Sequence, residues 1–194
     1  MTKAEATSKT TKRTNKFLSD PKIPTGSATT GDYRRSGYDR GHLAPAADMV
    51  FSGQTMADSF FMSNMSPQKP AFNRGIWKDL EALVRSFAIT ERKIVVVTGP
   101  ILPKEKTVTI GANKVTVPTH YYKVIFDLIP PQKKIGFILP NEGSNEPLAA
   151  FAITVDAVEK ATGLNSFSKV PKEEQERLES NISIEAWHGL TPAK

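Results

Sequence analysis

The chain has 194 residues, 39% of them hydrophobic, which suits one buried core and leaves too little apolar material for two. Basic residues outnumber acidic ones by 26 to 20, and the net charge of +6 suits a phosphate-rich partner without establishing one. The absence of cysteine excludes disulfides, a thiolate nucleophile and a cysteine-based zinc site.

The positive excess is concentrated near the N-terminus, because the first 35 residues contain eight basic and three acidic side chains. Residues 1–15 are rich in Thr, Ser and Lys and are predicted to form a basic, flexible arm. Such an arm has the charge to bind phosphate, although a solvated tail is the simpler interpretation. Residues 16–194 are predicted to form one domain. No apolar stretch is long enough to span a bilayer, so no membrane partner is expected.

One helix is clear in the first half of the chain. Residues 20–32 are rich in Pro and Gly and are expected to be irregular, and a short strand or loop is expected in residues 34–43. The apolar run in residues 59–65 predicts a buried strand. Further on, apolar residues recur at helical spacing and predict a helix with one buried face: Leu80, Leu83, Val84 and Phe87.

The second half of the chain contains both strand and helix signals. Four segments predict strands, the first of them central in the sheet: residues 93–98, 114–117, 121–128 and 133–139. Residues 154–162 have helical spacing and end at Gly163, and residues 171–180 begin with proline and acidic side chains, as a helix does. These elements predict an α+β fold with a central mixed or antiparallel sheet flanked by helices.

The first concentration of chemistry is the run Asp39, Arg40, Gly41, His42. A histidine has the pKa to take a proton from water near neutral pH, and an adjacent arginine can bind two phosphate oxygens at once. Glycine between them allows a close backbone approach. A lone histidine in a surface turn would be the ordinary interpretation of this run, so the surrounding residues decide between the two.

A second group of candidate site residues follows: Asn64, Asn73, Glu81 and Arg85. Glu81 and Arg85 are four residues apart on the predicted helix, so their side chains project from the same side and can converge on one site. Taken alone, such a pair is more often an exposed salt bridge that contributes only a few tenths of a kcal/mol. Trp77, on the same helix, is expected to be a packing residue.

In these motifs the sequence resembles the DNA/RNA non-specific endonuclease family of ββα-metal (His-Me finger) nucleases, the group that contains endonuclease G. The similarity rests on residues 39–45, on residues 64–68, and on Asn73, Glu81 and Arg85 at the family's spacing. Residues 97–100 and 117–123 also match, and the resemblance covers roughly residues 34–180. It implies a ββα-metal fold and one nuclease domain in residues 16–194.

The resemblance implies a role for each candidate residue. His42 would be the general base that activates water, and Asn73 would bind one Mg²⁺, with Mn²⁺ as a substitute and Glu81 acting through metal-bound water. Arg40 and Arg85 would bind the phosphate or stabilise the transition state, and the products would carry 5′ phosphates. Asn64 would lie on the strand beside the histidine and help organise the site, and Asp39 would orient its neighbours.

The resemblance further implies DNA and RNA as substrates, bound through phosphates and therefore without sequence preference. A homodimer and a protein inhibitor are candidate partners. Two interpretations compete with this one: a nucleic-acid-binding domain without catalysis, and a phosphodiesterase for a small substrate. His120 and His188 lack partners at metal-ligand spacing and are interpreted as strand structure and an exposed terminus.

Two matters stay open at this point. Family members have a strand-bearing segment ahead of the region that matches residues 13–24, and the chain shown is expected to lack it. The compartment is not indicated by any targeting signal, although indiscriminate cutting favours secretion or export to a periplasm.

Overall fold

The computed structural model of the chain describes residues 1–105 and 107–190. Seven α-helices are present in these residues: α1 Lys3–Thr7, α2 Thr30–Tyr33, α3 Gly53–Asp58, α4 Pro70–Asn73, α5 Ile76–Thr90, α6 Val155–Thr162 and α7 Lys172–Glu179. They are accompanied by eight strands: β1 Asp39–His42, β2 Met65–Gln68, β3 Ile94–Ile101, β4 Thr109–Ile110, β5 Val115–Thr116, β6 His120–Asp127, β7 Lys133–Pro140 and β8 Ala152–Ile153. The last four residues of the predicted domain, 191–194, lie outside the described residues.

The main sheet is antiparallel and has the strand order β3-β6-β7-β8. The prediction that residues 93–98 form a central strand is wrong, because β3 lies at the edge of this sheet. Val95 is exposed and Val96 and Val97 are only partly buried, whereas every residue of β6 after His120 is buried. A short run of apolar β-branched residues is compatible with either position, since strand order is decided by pairing with distant segments.

Helices cover both faces of the main sheet. On one face α5 packs against β6 and β7, and the helical face predicted from spacing is confirmed, with Leu80, Val84 and Phe87 buried and Leu83 partly buried. On the other face α6 and α7 pack against β6 through Val158 and Leu178. Helices α6 and α7 confirm the helices that were predicted in residues 154–162 and 171–180. Among the described residues, no helix is both long enough and apolar enough to cross a bilayer.

The strands β1 and β2 form a separate antiparallel pair that leads into α4 and α5. The prediction of a strand in residues 59–65 is wrong: a turn and a 3₁₀ helix, Met62–Asn64, occupy most of that run, and β2 begins at Met65. The apolar side chains are buried without a strand because the turn directs Phe60 and Met62 inward. Tyr121 of β6 joins the pair to the main sheet, since its hydroxyl is 2.8 Å from Ser66 Oγ and donates to the Pro67 carbonyl at 2.9 Å.

The N-terminal residues differ from the flexible arm that the composition predicts. The side chain of Thr2 caps α1 in a reciprocal pair with Glu5, and Thr2 also forms an antiparallel bridge with Lys93. Helix α1 packs on α5. The segment that follows α1 is held in place by a hydrogen bond of 3.0 Å from the Thr11 amide to the Val50 carbonyl. These contacts join distant parts of the chain, which is why local composition does not reveal them.

Candidate active site

The strand β1 carries the Asp-Arg-Gly-His run, paired so that Asp39 lies opposite Gln68 and His42 opposite Met65. The glycine in this run is required by packing. A Cβ atom added to Gly41 would lie 2.1 Å from Gln68 Cδ, because the buried side chain of Gln68 crosses the strand at that point. The close approach expected at Gly41 is therefore an approach of Gln68 to the backbone of β1.

His42 is held in an apolar setting and is 9% exposed. Its ring lies edge-on to Phe60, with centroids 4.9 Å apart, and Phe17 is 6.0 Å away. Burial, followed by the charges of Arg13 and Arg40, lowers the pKa of His42 to about 4. The imidazole is therefore neutral at neutral pH, and its Nε2 atom has no hydrogen-bond partner within the described residues. A neutral imidazole can accept a proton, as a general base must, and the buried Nε2 atom is itself closed to solvent.

Asn73 ends α4 and is oriented by Asp39 of β1. Its Nδ2 atom donates to Asp39 Oδ2 at 2.9 Å, and Arg74 donates to both oxygens of the same carboxylate at 2.8 and 2.7 Å. Burial opposes ionisation of Asp39, but the hydrogen bonds from Arg74 and Asn73 hold its pKa below the usual value. Because a carboxylate accepts and does not donate, the amide nitrogen of Asn73 faces Asp39 and its oxygen is left free for another ligand.

Glu81 lies on α5 and is partly buried. Burial raises its pKa to about 7, and the nearby positive charges oppose that rise, Lys123 most strongly. Lys123 is 1% exposed, donates to Thr98 Oγ1 at 3.0 Å and lies 4.6 Å from the centre of the Trp77 ring. Burial lowers the pKa of Lys123 to about 8. The buried ammonium of Lys123 therefore favours the ionised form of the Glu81 carboxyl group.

Arg85 does not pair with Glu81 as the helical spacing suggests. Its Nη1 atom donates to Asp48 Oδ1 at 2.9 Å, and Asp48 comes from a 3₁₀ helix, Ala46–Asp48, just after β1. Burial raises the pKa of Asp48, and Arg85 opposes that effect. Sequence reasoning missed both Asp48 and Lys123. The signal for Lys123 was a lysine within an apolar strand run, whereas Asp48 had no local signal.

Asn64 holds the backbone that follows His42. It lies at the end of a 3₁₀ helix just before β2, and so not on the strand where it was expected. Its Nδ2 atom donates to the carbonyls of Ala44 and Ser59, each at 2.9 Å, and its Oδ1 atom accepts from the Ala44 amide at 2.9 Å. All of these bonds are internal, so Asn64 acts as a positioning residue.

Arg40 is exposed, and its guanidinium lies 4.1 Å from the centre of the Phe17 ring. It makes no ion pair within the described parts of the chain, so its charge is available to a ligand. Trp77 is fully buried against Phe72 and Tyr121, which confirms the packing role expected for it. His120 begins β6 and His188 is exposed, also as expected.

The chain as a whole is similar to known nucleases. A sequence model of the DNA/RNA non-specific endonuclease family matches residues 1–173. "Nuclease 1, mitochondrial" of Schizosaccharomyces pombe is 38% identical in an alignment of 190 positions that covers 88% of this chain and 59% of the relative. "Endonuclease G, mitochondrial" of Bos taurus is 40% identical in an alignment of 150 positions that covers 71% of this chain and 50% of the relative. The chain thus spans only 50% and 59% of the length of these two relatives.

A solved structure is also similar. The structure described as "Crystal structure of the EndoG/EndoGI complex: Mechanism of EndoG inhibition" superposes with a TM-score of 0.81 at 34% identity. The match covers 89% of this chain and 78% of that one. Together with the β1–β2 pair leading into α5, this similarity confirms the α+β, ββα-metal fold expected from the sequence.

Proposed function

The chain belongs to the DNA/RNA non-specific endonuclease family, and we propose that it hydrolyses phosphodiester bonds of DNA and RNA without sequence preference, leaving 5′ phosphates. The observation that carries the proposal is the pairing of two features on adjacent elements. His42 has a neutral imidazole that can accept a proton, and Asn73, whose amide nitrogen donates to Asp39, has an amide oxygen without a hydrogen-bond partner among the described residues. A base and a hard-metal ligand are the parts that hydrolysis of a phosphodiester requires.

His42 accepts the proton of the attacking water. The low pKa keeps the ring neutral before the reaction, and the apolar contacts with Phe60 and Phe17 restrict its orientation. Arg40 offers a guanidinium to the phosphate oxygens, and this charge persists at any working pH. Arg85, partly engaged by Asp48, adds a second guanidinium near Glu81. These charges stabilise the negative charge that develops on the phosphorane.

The residues present suit one magnesium ion. Asn73 would hold it through Oδ1, and Glu81 would accept hydrogen bonds from its waters, in a donor set of neutral and anionic oxygens that hard cations prefer. When bound, Mg²⁺ supplies Lewis-acid stabilisation of the phosphate and the leaving oxygen, and Mn²⁺ can substitute for it. Glu81 requires ionisation for this role, which Lys123 favours.

Two features support nucleic acid as the partner. The chain has a net charge of +6, and the exposed Arg40 of β1 makes no ion pair among the described residues. Contacts that consist mainly of phosphates carry no base information, which accounts for the lack of sequence preference. The solved relative is described in complex with an inhibitor, so a protein inhibitor of this chain is proposed as well. A homodimer is a further proposal, made from the family resemblance.

Plasmid nicking tests the proposed activity. The chain is expected to convert supercoiled DNA to nicked and linear forms with Mg²⁺, to lose this activity with a chelator, and to lose it in His42→Ala. Degradation of polymeric RNA under the same conditions separates a nuclease from a phosphodiesterase for small substrates. Retained DNA binding without cleavage by the parent chain would instead support a binding domain. A His42→Ala chain that cuts as fast as the parent would show the assignment of the base to be wrong.

A further inference from the structure

A polar pocket of about 360 Å³ lies beside β1, next to the site described above. Its volume falls within the range of roughly 300–1,000 Å³ that is usual for small-ligand sites. It is lined by Thr30, Tyr33, Arg34, Tyr38, Asp39 and Arg40. Because Asp39 and Arg40 also belong to the Asp-Arg-Gly-His run, a ligand in this pocket would lie close to the bond being cut.

The unneutralised charge of the pocket is positive. Asp39 is already engaged by the guanidinium of Arg74 and the amide of Asn73. Arg34 and Arg40, by contrast, make no ion pair with any carboxylate in residues 1–105 and 107–190, and both are exposed. Two guanidiniums without protein counter-ions favour an anionic ligand with several acceptor oxygens.

Tyr33 gives a second, independent indication of a ligand. Its side chain is only 6% exposed, yet its hydroxyl has no hydrogen-bond partner within the described residues. An unpartnered buried hydroxyl costs about 1–3 kcal/mol relative to a bonded one. Burial and then Asp32 raise the pKa of Tyr33, with Arg40 opposing them, so the hydroxyl keeps its proton and remains a donor.

The position of the pocket relates it to the cleavage site. Residues of a strand rise about 3.3 Å each, so Asp39 and Arg40 lie roughly 7–10 Å from His42 along β1. One strand of a duplex advances about 3.4 Å per nucleotide. A nucleic-acid strand that presents one phosphate to His42 therefore places a phosphate about two or three nucleotides away within reach of the pocket.

We propose that the pocket lined by Tyr33 and Arg34, next to Arg40, binds a backbone phosphate that flanks the phosphate being cut. Arg34 supplies a guanidinium, and the buried Tyr33 hydroxyl donates to a phosphate oxygen once the bound strand displaces the side chains that cover it. This inference rests on the proposed nuclease function, because the flanking phosphate belongs to the same nucleic-acid strand. It adds Tyr33 and Arg34 to the residues that hold the substrate without assigning them a part in the chemistry.

The chain offers a matched control in Arg35. It has the same charge, is exposed like Arg34 and follows it directly, but it does not line the pocket. Its backbone has a φ of 58°, and glutamine makes the same demand on that conformation as arginine does. Arg34→Gln and Arg35→Gln therefore remove equal charge from adjacent positions, and only the first removes a pocket residue.

The test measures cleavage of a 12-nucleotide single-stranded DNA as a function of salt. For Arg34→Gln we expect KM to rise roughly three- to tenfold with kcat nearly unchanged, and the slope of log KM against log salt to fall by about 0.7. Arg35→Gln should change neither quantity appreciably. Tyr33→Phe should raise KM while leaving the thermal midpoint unchanged or higher, since it removes a hydroxyl that has no partner in the free protein.

Equilibrium binding of the same fluorescent oligonucleotide in the presence of a chelator separates this proposal from the proposed function. Weaker binding by Arg34→Gln than by Arg35→Gln supports the phosphate site whether or not the chain cuts DNA. Equal binding and equal KM in these two variants would overturn the phosphate site and leave the nuclease assignment intact. An increase in the thermal midpoint of Tyr33→Phe without an increase in KM would also overturn it.

Discussion

The carboxylate of Asp39 on β1 holds the side-chain amide of Asn73 at the end of α4 through a hydrogen bond of 2.9 Å. Arg74, the next residue, binds both oxygens of the same carboxylate. The Asp39 carboxylate thus fixes the orientation of the Asn73 amide. The amide nitrogen faces Asp39, and the amide oxygen has no hydrogen-bond partner among the described residues. The orientation of the proposed metal ligand therefore depends on a carboxylate that two neighbouring side chains already engage.

Asp39→Asn should weaken metal binding. An amide offers one acceptor oxygen where the carboxylate offers two, so it cannot serve Asn73 and both Arg74 donors together. Loss of such an outer partner typically costs 10–100-fold in metal affinity, and we expect the Mg²⁺ concentration for half-maximal nicking to rise by about that factor. Asp79→Asn, an exposed change in the first turn of α5, is the control. Equal Mg²⁺ dependence in the two variants would contradict this orienting role.

Asn64→Ala should destabilise the protein and reduce kcat. It removes three hydrogen bonds to the backbone of Ala44 and Ser59, and leaves partly buried groups without partners. We expect a loss of about 2–4 kcal/mol in the free energy of unfolding, measured with urea. Asn181→Ala removes an exposed amide that bonds only its neighbour, and should cost far less. Equal unfolding free energies for Asn64→Ala and Asn181→Ala would show that the hydrogen bonds of Asn64 do not stabilise the fold.

Local patterns were sufficient to predict several elements. The apolar spacing of α5 is set by burial of one helical face, and the N-cap at Thr154 and the stop at Gly163, with φ of 73°, bound α6 by local chemistry. The roles of Asp39 and Asn73 were implied by the family resemblance, although Asp39 also stood out in the Asp-Arg-Gly-His run. Their contact could not be predicted from either residue alone, because it joins positions 34 residues apart.

The features that sequence reasoning missed depend on long-range contacts. The edge position of β3 follows from its pairing with β6, and the packed N-terminal segment follows from the bridge between Thr2 and Lys93. Asp48 pairs with Arg85 across 37 positions. Nothing in the local sequence around these residues specifies the partner.

Gly41→Ala should be strongly destabilising because its Cβ would overlap the side chain of Gln68. Overpacking of this kind costs about 1–3 kcal/mol, and the closeness of the overlap puts this change at the upper end. Gln68→Ala removes the obstructing atoms, so the double variant should recover much of the loss caused by Gly41→Ala. A double-mutant cycle in urea measures that coupling. Simple additivity of the two changes would show that the overlap is relieved in some other way.

Lys123→Met should shift the pH dependence of cleavage. Lys123 is the strongest influence opposing the raised pKa of Glu81, about 7, so its removal raises that pKa further. If ionised Glu81 is needed, the acidic limb of kcat/KM against pH should move upward by on the order of one unit. The fold should tolerate the change, because Lys123 makes no direct ion pair within the described residues and methionine can occupy its site. The exposed change Lys78→Met is the control, and identical midpoints for both variants would refute the coupling.

The low pKa of His42 has a consequence for stability. The folded value of about 4 lies below the ordinary value of 6.5, so between these limits the unfolded chain binds more protons than the folded one. Stability from this residue is therefore complete above pH 6.5 and is lost as the pH falls towards 4, by about 3 kcal/mol in all.

His42→Phe keeps a ring in the apolar site and removes the titration. Between pH 7 and pH 4, the unfolding free energy of His42→Phe, measured with urea, should fall by about 3 kcal/mol less than that of the parent. Glu81 gives the opposite slope in both proteins and cancels in the comparison, and His188→Gln, which changes an exposed histidine, should behave as the parent does. A variant with the same pH dependence as the parent would mean that His42 is not held neutral by its burial.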